Sequence, residues 1–371
     1  MMLYSEQGPP IMDLISGIGV SAIGHCHPKV VKAVQEQAAT FMHTMVYGEF
    51  VLSPQVLLAE ALCTLLPPEL NSVYFVNSGA EAVEGALKLA KRVTGRYEII
   101  ACKKSYHGST YGAMSLMSEA TFTQPFAPVL PGIKFIDFNS LPDLDQITNR
   151  TAAVIVETVQ GESGLQLPDP KYLKALASKC KEVKAMLILD EIQCGFGRTG
   201  HMFAFSQFGI KPDILLLAKA LGGGMPIGAF ISAREHMSTL SHNPALGHIT
   251  TFGGHPVNCA AGLANLQVFH QEGLVENVAE KAKKFAELLP HPLIKEIRQA
   301  GLWFALDLKD PIVLQKAVHL GLERGLLFDW FLFNDHSIRI APPLIITMAE
   351  IEIACETLHE IFDSLMDAAV L

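Results

Sequence analysis

Apolar residues along the middle of this chain occur in short, almost uninterrupted runs, and amphipathic segments separate several of them. Such runs are too short for helices and are typical of strands buried on both faces of a sheet. Residues 79–94 and 168–183 have helical spacing between runs. The alternation predicts an α/β domain with a mostly parallel seven-stranded sheet covered on both sides. The predicted strands are SVYFVN (72–77), EIIAC (98–102), KFIDF (134–138), AAVIVE (152–157), AMLILD (185–190), DILLLA (213–218) and IGAFIS (227–232).

From about residue 256 the pattern changes. Residues 257–288 have the period of long helices, with the mixed charge of a solvated face. Short strand candidates follow in KEIRQAGLWFALDL and SIRIAP, and they alternate with predicted helices at 311–324 and 348–366. The pattern from about residue 256 onward predicts a smaller α+β domain.

Composition limits the classes of protein that fit. Half of the 371 residues are hydrophobic and 18% are charged, which favours a large core and an extensive subunit interface. No run of about 18 apolar residues occurs, so we expect no membrane-spanning helix. The net charge of -9 argues against nucleic acid as a partner.

The seven cysteines form no CxxC pair, and their number is odd. This usage is typical of reduced thiols, and we expect a cytoplasmic protein. Cys26 lies between two histidines in GHCHP, which could be read as a metal-binding motif. A four-ligand site needs more than adjacent side chains that point in different directions. We therefore expect no metal site.

Three predicted strands lead directly into ionisable residues. AAVIVE ends in Glu157, AMLILD ends in Asp190, and Lys219 follows DILLLA. The carboxyl ends of parallel strands lie at one edge of the sheet, where ligands bind in such folds. The three side chains are expected to meet there, either as a simple ion pair or as a binding site. Glycines at 222–224 leave room beside Lys219 for a flat ligand.

A lysine in this position has the properties of a covalent catalyst. Burial disfavours the ammonium form, and a neutral amine attacks carbonyl groups. A lysine that binds pyridoxal phosphate needs an acid at the pyridine nitrogen, an anion cradle for the phosphate and an apolar surface on each ring face. Asp190 is the candidate acid, and Tyr106 and Ile192 are candidates for the two surfaces.

The candidate cradle lies in the segment NSGAEAVEGALKLAKR. The preceding strand leads into Ser78, Gly79 and Ala80, and free amides at the start of a helix bind phosphate. Ser78 and Glu81 also fit an ordinary capping box, which would explain the motif without a ligand. A second glycine-rich segment, GFGRTG (195–200), matches a dinucleotide fingerprint. No clear helix follows it, so we interpret it as a loop.

Seven motifs occur in the order seen in class III pyridoxal-phosphate aminotransferases, and the chain resembles that family over nearly its whole length. The resemblance is strongest to the acetylornithine and ornithine aminotransferase branch. It implies fold type I, with an N-terminal segment at 1–45 that packs with the small domain, a large cofactor-binding domain at 46–255 and a small C-terminal domain at 256–371. The motifs are NSGAEAVEGALKLAKR, YHG, ETVQGESG, DEIQCGFGRTG, KALGGGMPIGA, TTFGGHPVNCAA and IRIAPPL.

The resemblance implies pyridoxal 5'-phosphate as the cofactor and assigns roles to residues. Lys219 resembles the lysine that forms a Schiff base and moves the substrate proton. Asp190 resembles the partner of the pyridinium, and Glu157 the glutamate that in some members masks an arginine. The other implied cofactor-binding residues are Ser78, Gly79, Ala80, Tyr106, His107, Ile192, Gln193 and Thr251.

Substrate recognition is implied in the same way. Arg339 resembles the arginine that binds the substrate α-carboxylate, and a planar guanidinium suits that pairing. Tyr47 and Thr250 are further candidates for the substrate end of the site. Thr251 resembles the threonine that reaches the phosphate of the neighbouring subunit, which implies a homodimer with shared sites. The chain starts almost at DLISG, whereas members of the family carry a longer N-terminal arm, so the expectation is either a short N-terminus or a misassigned start.

The implied reaction is transfer of the amino group of an ω-amino acid (acetylornithine, ornithine or a similar compound) to 2-oxoglutarate by a ping-pong mechanism. A racemase, aminomutase or decarboxylase with the same cofactor is the alternative, and an inactive binding protein is a third. Two departures bear on the donor. Ser109 follows YHG where acetylornithine enzymes commonly have arginine, and GGHP, with His255, replaces the usual GGNP.

Overall fold

The computed structural model describes residues 1–4, 6, 8–45 and 50–370. Tyr47, one of the substrate-site candidates, lies outside the described residues. The strands are β1 (Met2–Leu3), β2 (Ile11–Asp13), β3 (Ser72–Val76), β4 (Glu98–Cys102), β5 (Ile133–Ile136), β6 (Thr151–Glu157), β7 (Met186–Asp190), β8 (Ile214–Leu217), β9 (Gly228–Ser232), β10 (Glu296–Gln299), β11 (Phe304–Asp307), β12 (Leu326–Leu327), β13 (Asp329–Phe331) and β14 (Asn334–Ile340). The α-helices are α1 (Ser16–Gly19), α2 (Pro28–Thr40), α3 (Ser53–Thr64), α4 (Gly79–Thr94), α5 (Tyr111–Met114), α6 (Ala120–Thr123), α7 (Pro170–Val183), α8 (Arg234–Ser238), α9 (Pro256–Gln271), α10 (Val278–Leu288), α11 (Pro311–Glu323) and α12 (Met348–Val370).

The largest sheet in the described part of the chain has seven strands in the order β3-β9-β8-β7-β6-β4-β5. β9 is antiparallel to both neighbours, and the other neighbouring pairs are parallel. The predicted mostly parallel sheet is therefore confirmed. The reversed strand follows β8 after residues 218–227, which are too few for the crossover of about a dozen or more residues that parallel neighbours need.

The helix α4 begins where β3 ends because local residues fix both of its termini. The side chain of Ser78 accepts a hydrogen bond from the amide of Glu81, and Gly95 ends the helix with φ 69°. Gly85 brings α4 close to β9, since a Cβ there would overlap the ring of Phe230. This close packing fixes the position of the first turn of α4 above the sheet.

The C-terminal third forms a four-stranded antiparallel sheet in the order β10-β11-β14-β13. The helices α10, α11 and α12 pack together, and α11 lies against β14. A third, small sheet has the order β1-β2-β12, so the N-terminal strands pair with residues near 326. Backbone hydrogen bonds from Ala341 to Leu14 (2.6 Å) and from Leu344 to Ala22 (2.7 Å) attach the same N-terminal segment to the end of β14.

No helix among the described residues is long and apolar enough to cross a membrane.

Candidate active site

A cavity of about 450 Å³ lies at the carboxyl ends of the central strands of the large sheet. Glu157 ends β6, Asp190 ends β7, and Lys219 lies two positions after β8. All three residues line the cavity, as their positions at strand ends indicated. Its volume falls within the range of about 300–1,000 Å³ that is usual for small-molecule sites. The strand ends therefore enclose room for a ligand.

Lys219 has an unusual backbone and an unengaged amine. Its φ is +45°, a conformation that is uncommon outside glycine and that clusters at functional sites. Within the described part of the chain, its ammonium has no hydrogen bond or ion pair. Burial lowers the pKa of Lys219, although the nearby carboxylate of Glu162 opposes the change. A larger fraction of this amine is therefore neutral than of a surface lysine, and the neutral form is the nucleophile.

Asp190 is held in a fixed orientation by two hydrogen bonds. Its Oδ2 lies 2.7 Å from Nδ1 of His107, and its Oδ1 accepts a hydrogen bond from the amide of Ile192 at 3.0 Å. Both Asp190 and His107 are buried. The other ring nitrogen of His107, Nε2, is buried without a partner among the described residues. The pair is therefore an oriented carboxylate with an orphaned polar atom beside it, at the base of a cavity.

Glu157 is a second buried carboxylate on the adjacent strand. Its Oε1 accepts a hydrogen bond from the amide of Tyr106 at 3.0 Å, and its Oε2 accepts one from the amide of Gly161 at 2.9 Å. Burial raises the pKa of Glu157 to about 7, and the charge of Asp190, its register partner on β7, adds to the increase. The two backbone contacts fix the loops after β4 and β6, where Tyr106 and Gly161 lie.

The first turn of α4 presents free amides at the cavity. Ser78, Gly79 and Ala80 line it, and the amides of Gly79 and Ala80 make no hydrogen bond to other described residues. Gly108 packs directly on this turn with φ +123°, and a Cβ there would lie 2.6 Å from Cβ of Ala80. The turn therefore presents free amides and the positive end of a 16-residue helix, an arrangement that suits an anion.

The cradle depends on a glycine in the neighbouring strand. A Cβ at Gly228 would overlap the backbone oxygen of Ser78, whereas the nearest atoms to a Cβ at Gly79 are all in side chains: Cδ1 and Cγ2 of Ile192, at 2.9 and 3.2 Å, and Cβ of Ala218, at 3.4 Å. A backbone group cannot move aside as a side chain can. We expect Gly228→Ala to lower the free energy of unfolding by about 1–3 kcal/mol and to weaken cofactor binding.

Gly79→Ala is the matched control for this substitution, because it adds the same methyl group against a movable side chain. Urea unfolding of the cofactor-free chain compares the two variants. If Gly228→Ala lowers the free energy of unfolding no more than Gly79→Ala does, the expectation is contradicted.

Aromatic and aliphatic side chains form the walls of the cavity. Tyr106, Ile192 and Gln193 line it, so the residues proposed for the two ring faces and the implied cofactor-binding residue Gln193 lie with Lys219 and Asp190. The hydroxyl groups of Tyr106 and Ser109 lie 3.2 Å apart. Ser109 therefore occupies the cavity wall at the position where acetylornithine enzymes commonly carry arginine.

Arg339 does not line this cavity, but its charge acts on Lys219, and two carboxylates are bound to it. Its Nε and Nη2 donate to the two oxygens of Asp329 at 2.8 and 2.6 Å, and its Nη1 donates to Oε1 of Glu162 at 2.7 Å. Burial alone would lower the pKa of Arg339, but the hydrogen bonds and charges of Asp329 and Glu162 raise it. The guanidinium also lies over the ring of Phe331, 5.4 Å from its centroid.

The interpretation of Glu157 as an arginine-masking residue is wrong. Both Glu157 oxygens bind backbone amides, and the glutamate that contacts Arg339 is Glu162. The physical reason is position: Glu157 is the last residue of a sheet strand, whereas Glu162 lies in the loop that faces β13 and β14. Both glutamates belong to the same motif, ETVQGESG, and the residue pattern alone does not distinguish them.

The remaining candidates do not line this chain's cavity in the described structure. Thr250 accepts a hydrogen bond from Nδ2 of Asn77 at 3.1 Å, and Thr251 is exposed.

Sequence reasoning missed Asp329 and Gly228 altogether. The signal for Gly228 was a glycine inside an otherwise apolar strand, which often marks a close approach of another backbone.

The residues present fit pyridoxal phosphate. The cavity combines a partly buried lysine with an oriented carboxylate, and it also holds free amides at a helix start. The orphaned Nε2 of His107 and the two unbound amides of α4 are polar groups that a polar ligand in this cavity would satisfy.

Comparisons with known proteins agree with this site. The family model described as aminotransferase class-III matches residues 1–362. An acetylornithine aminotransferase of Methanocaldococcus jannaschii is 40% identical, covering 98% of this chain and 91% of the relative. Another, of Caldanaerobacter subterraneus, is 36% identical with coverage of 98% and 93%. The solved structure of the Toxoplasma gondii ornithine aminotransferase, with partial occupancy of pyridoxal phosphate, superposes with a TM-score of 0.91 at 29% identity, covering 99% of this chain and 89% of that one.

The family model and the relatives extend over nearly the whole chain. The chain belongs to the class-III aminotransferases.

Proposed function

We propose that this chain, a pyridoxal-phosphate-dependent transaminase, moves the amino group of an ω-amino acid such as acetylornithine or ornithine to 2-oxoglutarate in two successive half-reactions. The observation that carries the proposal is that Lys219, Asp190 and the first turn of α4 surround one cavity. The names of the relatives, acetylornithine and ornithine aminotransferases, support this class of donor.

When bound, pyridoxal phosphate supplies an electron sink that stabilises negative charge on the carbon bearing the amino group. In this proposal Lys219 holds the cofactor covalently and carries the proton to and from that carbon. Its position directly after a buried strand keeps the amine partly desolvated, so it is neutral often enough to act as a base. Asp190 would hold a proton at the ring nitrogen, and His107 fixes the orientation of the Asp190 carboxylate.

The other cavity residues bind and orient the cofactor. The amides of Gly79 and Ala80 and the hydroxyl of Ser78 would hold the phosphate, and Tyr106 and Ile192 would supply apolar surface for the ring. Gln193 would offer a polar group to the ring oxygen, and Glu157 supports Tyr106 through its backbone amide.

At the substrate end, Arg339 binds the substrate α-carboxylate, and Glu162 is the partner that such a carboxylate replaces. The support is geometric: Glu162 binds a single guanidinium nitrogen, Nη1, at 2.7 Å. A substrate whose reacting amine is on an ω-carbon leaves this ion pair intact, because no carboxylate lies next to that amine.

The proposed assembly is a homodimer in which Thr251 reaches the site of the other subunit. Two exposed apolar segments support it: Phe50 and Val51 in one, Ile249 and Phe252 in the other, with exposed fractions of 50–87%. The rings of His43 and Phe252 lie 5.1 Å apart, so Phe252 packs against the N-terminal part of the chain. Exposed apolar side chains of this kind are suited to a subunit interface.

For the domain organisation we propose the division at 1–45, 46–255 and 256–371. The pairing of β2 with β12 and the backbone hydrogen bonds of Leu14 and Ala22 to the end of β14 support packing of the first segment with the C-terminal part. Limited proteolysis that cleaves first near residues 45 and 255 would support these boundaries, and cleavage first within either sheet would contradict them.

An amino-donor panel tests the function. We expect glutamate to form from 2-oxoglutarate with acetylornithine, ornithine or 4-aminobutyrate as the donor, and the fastest donor identifies the substrate class. Glutamate formation separates transamination from racemase, aminomutase or decarboxylase chemistry, since none of these produces it. If no ω-amino donor yields glutamate while the cofactor spectrum is normal, the proposed reaction is wrong.

A further inference from the structure

The positive charge of Arg339 is outweighed by the negative charges of its two partners. One guanidinium is bound by two carboxylates, so the Arg339–Glu162–Asp329 group carries a formal net charge of -1 (one positive and two negative). The side chains of Arg339 and Glu162 are buried, and that of Asp329 is 23% exposed. Because the surroundings are poorly hydrated, the second negative charge is not screened as a surface charge would be.

The two carboxylates hold Arg339 in different ways. Asp329 binds side-on, with one oxygen on Nε and the other on Nη2, and this two-bond geometry is the strongest form of the pair. Glu162 binds only Nη1, and its other oxygen accepts a hydrogen bond from the amide of Leu332. Asp329 is therefore the tighter of the two partners.

The sheet fixes Asp329 in place. Asp329 on β13 lies directly opposite Arg339 on the antiparallel strand β14, so the backbone ladder itself holds the two side chains together. Both oxygens of Asp329 bind Arg339, and within the described chain its carboxylate has no other partner. A ligand that displaces Glu162 would thus still meet an arginine whose charge Asp329 already balances.

We propose that Asp329 is a specificity-determining residue that weakens the capture of a substrate carboxylate by Arg339 and so favours amino donors whose reacting carbon carries no carboxylate. The inference rests on the proposed role of Arg339 in substrate binding. Its consequence is asymmetric. The 2-oxo acid must place a carboxylate at Arg339 and is bound weakly, whereas an ω-amino donor leaves Arg339 with both of its partners.

The test measures binding of glutarate, a dicarboxylate that has no amino or oxo group and therefore does not react. Calorimetry on the cofactor-loaded chain gives its dissociation constant. We expect Asp329→Asn to tighten glutarate binding about tenfold, the size of a like-charge repulsion over several ångströms in a protein environment. The KM for 2-oxoglutarate should fall by a similar factor, while the KM for the ω-amino donor should be unchanged.

Asp335→Asn is the charge-matched control. Asp335 lies on the same hairpin and is exposed, and its carboxylate has no hydrogen bond or ion pair to a described residue. This variant should bind glutarate like the wild type. Asp329→Ser, which keeps a hydrogen-bond acceptor without the charge, gives the same comparison if the asparagine variant is unstable.

Unchanged or weaker glutarate binding in Asp329→Asn overturns the proposal, because it would make Asp329 a support that orients Arg339. Arg339→Lys separates this failure from failure of the proposed function. Lysine keeps the charge but loses the planar fork, so glutarate binding should weaken. If Arg339→Lys binds glutarate as the wild type does, Arg339 does not bind the carboxylate, and the role assigned to it above is wrong.

Discussion

Lys219→Ala is expected to give a folded chain that holds pyridoxal phosphate only non-covalently and transfers no measurable amino group. The substitution removes both the nucleophile for the cofactor carbonyl and the proton carrier for the substrate carbon. Loss of a positioned acid–base group alone lowers turnover by up to about 10⁴-fold. Mass spectrometry after borohydride reduction measures covalent attachment, and glutamate formation from 2-oxoglutarate measures turnover.

Lys219→Arg is the control for charge and size. Arginine keeps a cation at the end of β8 but stays protonated, so it cannot attack a carbonyl. Both variants should lose covalent attachment of the cofactor. In the cofactor-free wild type, an amine-reactive reagent should label Lys219 before the surface lysines, because burial lowers the pKa of this amine. Normal turnover in Lys219→Ala would show that another residue carries the chemistry.

The same variant tests the proposed shared site. A Lys219→Ala subunit keeps Thr251, and a Thr251→Ala subunit keeps Lys219, so a mixed dimer contains one site with both residues. After random exchange of the two variants, about a quarter of the sites should be complete. Recovery of activity on mixing therefore supports a dimer in which Thr251 crosses between subunits, and no recovery would place Thr251 elsewhere.

The framework of this fold follows from local sequence signals. The apolar runs that end in Glu157 and Asp190 are strands because their residues are buried on both faces, and α4 occupies the predicted residues 79–94 because Ser78 and Gly95 fix its ends. Parallel strands then bring those ends to one edge without further information. The direction of β9 was not evident from its residues, since a buried strand has the same pattern in either orientation.

The contacts of Arg339 could not be predicted in the same way. Glu162 lies 177 positions from Arg339 along the chain, and its neighbour in the motif, Glu157, was the wrong choice. Asp329 is only ten positions from Arg339, but the register of β13 on β14 shifts between Trp330 and Phe331. A β-bulge of this kind changes which residues oppose each other, and periodicity does not reveal it.

Asp190→Asn is expected to lower turnover by about 10²–10³-fold, the usual cost of removing one preorganised electrostatic contact from an active site. The substitution keeps the shape of the side chain and both of its neighbours, His107 and Ile192. A neutral amide cannot hold a proton at the ring nitrogen, so the cofactor loses its strength as an electron sink. Covalent attachment to Lys219 should persist, because that bond does not need the ring nitrogen to be charged.

If Asp190→Asn keeps covalent attachment of the cofactor but loses turnover, Asp190 is distinguished from a carboxylate that only stabilises the fold. Glu191→Gln is the comparison, since Glu191 is the adjacent buried acid and binds the amides of Ala204 and Phe205. Its loss should lower the free energy of unfolding, because buried amides would be left with poorer partners. Its effect on turnover per cofactor-loaded site should be small. Equal turnover per loaded site in Asp190→Asn and the wild type would contradict the role proposed for Asp190, because the ring nitrogen would then need no anionic partner.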